Sequence, residues 1–172
     1  MREHKPPTPP GRRPSALLLP TLLDRLVDHA PRERHETPES YAVSPAHMRE
    51  IVQRDLAWLL NTTNLEDEID REAMPHVAAS VLNYGVPPFA GKYMMERNWQ
   101  DIERIIRQAV IDFEPRLIPE TLEVIPAGNS DGDASYNVLL FEIHGWVHMQ
   151  PYPMEFLVQS SLDLETSRLS FI

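Results

Sequence analysis

Phe113-Glu114-Pro115-Arg116-Leu117 divides the chain into halves that follow different periodicities. Upstream, apolar residues recur at helical spacing; downstream, they alternate. Pro115 biases Glu114 away from helical geometry toward extended backbone. Glu114 and Arg116 are two apart, so in an extended chain they point to the same side. A carboxylate at a helix C-terminus opposes the dipole, which favours cations there, so Glu114 wants a basic partner. Two readings follow. One is a helix stop with a local or partner-chain ion pair. The other is a recognition corner between a helical half and a sheet half.

Working back from the corner, the spacing predicts a helix from about Trp99 to Phe113. Ile102, Ile105, Ile106, Ala109, Val110 and Phe113 follow the i, i+3, i+4, i+7 pattern. Asn98 can cap it, Asp101 and Glu103 suit its first turn, and Glu103 and Arg107 are spaced to pair across one turn. A shorter helix is expected from about Pro75 to Tyr84, with Val77, Val81 and Leu82 on its packed face and Gly85 as a left-handed terminator. Ser44 followed by Pro45 marks a helix start: a side-chain cap, then proline at the first helical position. Met48, Ile51, Val52, Leu56, Leu59 and Leu60 give that helix one apolar face, and Asn61 to Asn64 favour a turn.

Forward of Arg116 the period becomes two. Leu122, Val124 and Ile125 suggest a first strand, and residues 126–135 a loop. Leu139, Phe141, Ile143 and Val147 suggest a second strand. Met154, Phe156, Val158, Leu162 and Leu164 suggest a third, and a last short strand ends at Ile172. Pro151 and Pro153 fall in a connection, where missing ladder donors cost least. The fold class expected is α+β, with N-terminal helices packed on a C-terminal antiparallel β-sheet.

The N-terminal region divides differently. Residues 1–14 are rich in proline and arginine, poor in apolar side chains, and expected to be a disordered tail. Residues 15–28 carry Leu18, Leu22, Leu23 and Leu26 at helical spacing, a leucine-rich amphipathic helix. Residues 29–43 form a charged linker, leaving 44–172 as a single α+β domain. The leucine helix can fold back on the core or dock on another protein.

With 172 residues the chain can build one real core. Its formal net charge of −10 argues against nucleic acid and anionic lipid as main partners. It has no cysteine, so disulfides and thiolate metal sites are excluded, which is compatible with a reducing cytoplasm. Pro20, Asp24 and Arg25 interrupt the apolar run after the basic N-terminus, too early for an export signal. No apolar run is long enough to span a bilayer.

Patterns that carry chemistry are scarce. His144 and His148 lie four apart in an expected strand, about 13 Å along it, too far to share an ion. His29, His35 and His47 flank the linker and are expected in solvent. No serine sits in a nucleophile elbow, and no glycine-rich phosphate loop appears. Trp58, Trp99 and Trp146 could line a sugar cleft, but their positions read as core. No catalytic, cofactor-binding or metal-binding residue is assigned.

Several phrases together resemble a known family. They are Arg54-Asp55-Leu56 running into Leu59-Leu60-Asn61-Thr62, then Ser80-Val81-Leu82-Asn83-Tyr84-Gly85, then the corner itself, preceded by Leu22-Leu23-Asp24-Arg25-Leu26. In this order they are similar to the TssE family of type VI secretion baseplate wedge proteins. They are similar also to the small wedge protein of contractile phage tails, a family sometimes labelled lysozyme-like. The resemblance covers about residues 15–172. It implies a small α+β domain and a structural, non-enzymatic subunit of a cytoplasmic baseplate. The implied partners are the wedge proteins TssF and TssG and the sheath proteins TssB and TssC. It ties the Glu-Pro-Arg motif, here Glu114, Pro115 and Arg116, to the sheath junction, where strands add to a sheet edge. Leu22, Leu23 and Leu26 are the other partner-binding candidates. Thr63 and Asn64 stand where the family often has basic residues, and Ser167 where a glycine is common. Two other classes remain: a soluble regulator of the same fold, and a peptidoglycan-cleaving enzyme, which would need export, a cleft and a raised carboxylate pKa.

Overall fold

The computed structural model describes residues 21–27, 31–32, 43–89, 99–127, 138–149 and 152–172. They belong to two compact units, Met1–Val43 and Ser44–Ile172. In the first unit, helix α1 is Leu22–Leu26. The Thr21 side chain caps it by accepting the Asp24 N–H, and Val27 is already extended. The expected tail 1–14 and the start of the leucine helix, Leu18 included, lie outside the described residues.

The second unit begins as its sequence dictates. The Ser44 hydroxyl accepts the His47 N–H, Pro45 opens the helix, and α2 runs Pro45–Leu60. Met48, Ile51, Val52, Leu56, Leu59 and Leu60 are all buried, as their spacing required. Helix α3 is Pro75–Ala78, a single turn, and α4 is Trp99–Phe113, with Ile102, Ile106, Ala109 and Val110 buried. Asn98, the expected cap of α4, lies outside the described residues.

Four antiparallel strands follow in the order β1-β2-β3-β4: Glu123–Pro126, Val138–Val147, Met154–Asp163 and Arg168–Phe171. The long β2–β3 pair sets the register, with Ile143 opposite Val158 and Val147 opposite Met154. The alternating pattern puts Phe141, Ile143 and Val147 of β2, and Phe156, Val158 and Leu162 of β3, on one buried face. Helix α2 packs against α4, β3 and β4, and α4 also packs against β1. Helices therefore cover one face of a meander, the α+β architecture expected from the sequence. Among the described residues no helix is long and apolar enough to cross a membrane.

Asn61, just past α2, ties that helix to the last strand. Its amide donates to the Leu169 carbonyl and its carbonyl accepts the Leu169 N–H, each at 2.9 Å. The side chain thus occupies the outer backbone groups of edge strand β4 at that residue. In the β3–β4 turn, the Asp163 carboxylate accepts the N–H groups of Glu165 and Thr166. These bonds hold its pKa below the ordinary value, the Thr166 N–H contributing most. Ser167 takes φ 53°, the positive value at which glycine would be easier.

Four local expectations fail. The helix expected over Pro75–Tyr84 breaks after Ala78, because Ser80 is extended and its hydroxyl bonds back to the Val77 carbonyl. A 3-10 turn, Val81–Asn83, follows, and the change of phase turns Val77, Val81 and Leu82 outward. Gly85 does not terminate a helix. At φ 124° it lies so close to the backbone of Thr62 that a Cβ would sit 2.2 Å from the Thr62 carbonyl oxygen. Trp58 and Trp146 are exposed rather than core, while Trp99 packs near Phe141, ring centroids 6.0 Å apart. Finally, Arg107 does not pair with Glu103; its guanidinium donates to the carbonyls of Leu122 and Pro119, which the chain presents as it enters β1.

Candidate functional site

The corner begins where α4 ends. The Glu114 N–H still bonds to the Val110 carbonyl, and the Leu117 N–H bonds to the Glu114 carbonyl around Pro115. Beyond the turn the chain joins the end of β2. The Ile118 N–H bonds to the Trp146 carbonyl and the His148 N–H to the Arg116 carbonyl, each at 2.8 Å. Both flanks of the turn are therefore fixed in backbone ladders.

Glu114 is 4% exposed, a charged residue in the core. Its carboxylate is fully engaged. Arg116 approaches it with both Nε, at 2.6 Å from Oε1, and Nη2, bonded to Oε2, while the Arg116 backbone N–H also donates to Oε1 at 3.2 Å. This two-pronged geometry suits the planar guanidinium and would not suit lysine. Arg116 Nη2 also reaches Asp55 Oδ2 of α2 at 2.6 Å. Asp55 Oδ1 accepts from Arg54 Nε and Nη2, at 2.9 and 2.7 Å, and the Arg54 guanidinium lies 4.8 Å from the centroid of the Trp58 ring. Charges alternate along the chain Glu114, Arg116, Asp55, Arg54. Burial works against the Arg116 charge, but its bonds to Glu114 and Asp55 outweigh burial and raise its pKa. Burial also raises the pKa of Tyr84, aided by the charges of Asp55 and Glu114. The Tyr84 ring meets Phe113 edge-on, centroids 5.3 Å apart.

Three phrases far apart in sequence thus converge: Arg54-Asp55-Leu56, Asn83-Tyr84-Gly85 and the corner. Glu114 and Arg116 come together, though across a turn rather than along the extended chain expected, and Pro115 sits exposed at its apex. Leu22, Leu23 and Leu26 belong to the other unit, where their side chains are exposed. Sequence reasoning missed Asp55 as the partner of Arg116, since the two are 61 positions apart and no local pattern links them. It missed Asn83 as well. That residue is 1% exposed, accepts the Leu65 N–H, and donates to the Ala78 carbonyl and to Glu66.

A second ionic cluster lies beside a cleft of about 620 Å³ lined by Glu66, Arg71, Gln108 and Phe113. Arg71 bonds to both Glu66 oxygens and to Asp112, which also accepts from Gln108. The bond from Arg71 pulls the Glu66 pKa down against the effect of burial. On the open face of the sheet, Glu142 is lowered by its bonds to His144 and Gln159. Among the described residues, Glu66, Glu142 and Asp163 are each held below the ordinary carboxylate range by their hydrogen bonds. Among the described residues no group of histidine, aspartate and glutamate is arranged to hold a metal ion. The arrangement is a set of satisfied ion pairs that locks elements together.

Comparison with known proteins gives the chain its family. Residues 46–152 match the family described as baseplate wedge protein gp25. No curated protein and no solved structure matches. The chain belongs to the gp25 baseplate wedge family, which gives it a structural role in a contractile-tail baseplate.

Proposed function

We propose that this protein is the TssE-type wedge subunit of a bacterial type VI secretion baseplate, assembled in the cytoplasm. In this role it joins the wedge proteins TssF and TssG and promotes assembly of the TssB–TssC sheath, without catalysing a reaction. The observation that carries the proposal is family membership across residues 46–152. The corner supports a contact site there. Pro115 is exposed on a turn whose two flanks are fixed, and Arg116 is held by Glu114 and Asp55 in one orientation. A fixed side chain loses little freedom on docking, so more of its contact energy is retained. Leu22, Leu23 and Leu26 offer a second, apolar contact of the kind that amphipathic helices make.

The test is capture of purified wedge and sheath proteins by the full chain, with circular dichroism on each variant. Wild type is expected to capture both classes. Arg116→Lys keeps the charge but loses the two-pronged bond, and is expected to lose the sheath and keep the wedge proteins. Leu22→Asp is expected to weaken wedge capture. If folded wild-type protein captured neither class, the wedge-subunit assignment would fail.

A further inference from the structure

Away from the corner, the run Val77–Leu82 and the segment after α2 form a shoulder with unusual surface chemistry. Val81 and Leu82 are 83% and 85% exposed, and Leu65, Met74 and Val77 are exposed too. Single exposed apolar residues are ordinary, but these share one anchor. The buried Asn83 accepts the Leu65 N–H at 2.9 Å and donates to the Ala78 carbonyl at 2.9 Å and to Glu66 Oε2 at 3.0 Å. Leu65 and the Val77–Leu82 run are therefore one hydrogen bond from the same side chain. Their backbone is fixed as well. The Ser80 N–H bonds to the Val77 carbonyl, the Asn83 N–H to the Ser80 carbonyl, and Gly85 is pressed on Thr62. The shoulder presents its apolar side chains rigidly, which reduces the ordering cost of binding. Exposed apolar side chains anchored rigidly around one buried hub have the chemistry of an interaction surface.

Two features define the partner. The part of the shoulder from Pro75 to Asn83 is a helical turn and a 3-10 turn bonded within themselves, so it offers side chains and no strand edge. Its rim is acidic. Glu66, which bonds to the same Asn83, is already paired with Arg71, so the rim's available charge is that of the exposed Glu68, Asp70 and Glu72, with the Asp70 carbonyl accepting the Met74 N–H. We infer that this shoulder docks a helix of a partner protein whose apolar face is flanked by lysine or arginine. The apolar face would cover Val81, Leu82, Leu65 and Val77, and the basic flanks would meet the acidic rim. This contact is independent of the corner and of the sheath.

The probe is a synthetic amphipathic peptide with leucines at i, i+3, i+4 and i+7 and lysines beside them. It is titrated into the full chain and followed by amide chemical shifts. A peptide with glutamates in place of the lysines is the control. Shifts centred on Leu65, Val77, Val81 and Leu82 are expected for the lysine peptide only. The double variant Val81→Ser with Leu82→Ser should weaken binding by about tenfold or more, as loss of an apolar anchor does, with an unchanged melting temperature. Arg116→Lys should leave binding as it was. Shifts centred elsewhere, equal binding of both peptides, or no binding would overturn the inference. A large fall in melting temperature in the double variant would show the shoulder already covered by its own chain. Self-association of wild type that the double variant abolishes would show a second copy as its occupant.

Discussion

The corner and the shoulder invert the usual placement of side chains, and in opposite directions. At the corner, charged groups sit in the core, with Glu114 nearly sealed and each charge met by an opposite one. At the shoulder, valine and leucine stand in water on a rigid polar hub. The corner and the Val81-Leu82 tip of the shoulder lie within the phrases that carry the family resemblance, so those phrases do different physical work. The corner residues are packed inside the unit, and the Val81 and Leu82 side chains stand outside it. A substitution that abolishes assembly therefore means different things at the two places, and stability measurements separate them.

The largest effect is expected from Arg116→Ala. It leaves the buried Glu114 carboxylate without its partner, which costs about 3–5 kcal/mol. Urea unfolding would show the midpoint shift; an unchanged midpoint would place Glu114 in contact with water and dissolve the contrast. Asn83→Ala comes next, at about 2–3 kcal/mol, because the Leu65 N–H and the Ala78 carbonyl lose a buried partner. It should also loosen the shoulder, seen as faster amide exchange at residues 77–82. Asn61→Ala should cost about 1–2 kcal/mol and free the outer backbone groups of β4 at Leu169. The smallest effect belongs to Val81→Ser with Leu82→Ser, within about 0.5 kcal/mol of wild type, as for exposed sites generally.

Acid gives an independent check. The pKa values of Glu66 and Asp163 are lowered on folding, Glu66 chiefly by Arg71 and Asp163 chiefly by the Thr166 N–H. A lowered folded pKa stabilises the protein above the unfolded value. That contribution is lost as pH falls through the ordinary 4.5 of a glutamate toward the folded value. Stability should therefore decline on acidification in that range. Glu66→Gln should lower stability at neutral pH and flatten the decline.

Much of the fold is legible in the sequence because periodicity and punctuation agree. Ser44-Pro45 starts α2, Asn61 ends it, and the alternation of Phe141, Ile143, Phe156 and Val158 marks the inward face of the sheet. The run Pro75–Tyr84 misleads because its helix-like spacing is interrupted by a serine hydroxyl that competes for backbone bonds, a local event that hydrophobic pattern does not register. Trp58 and Trp146 mislead because tryptophan at an apolar-looking position need not be covered. At the corner, the sequence places Glu114 and Arg116 near each other, but the pair forms across a turn closed by the Leu117 N–H on the Glu114 carbonyl, not along extended chain. The role of Asp55 is not legible, since only packing of α2 against the end of α4 brings it within reach.

The most direct test replaces the corner charges by packing. Glu114→Leu with Arg116→Met removes a buried pair together and leaves Asp55 paired with Arg54, a kind of replacement that is often neutral for stability. The doubly substituted full chain is to be assayed for unfolding midpoint and for capture of purified sheath proteins. The expected result is a midpoint close to wild type with sheath capture lost, because the partner reads the fixed Arg116. A folded double variant that still captures the sheath would contradict the assignment of the corner as the contact and leave it a purely internal lock.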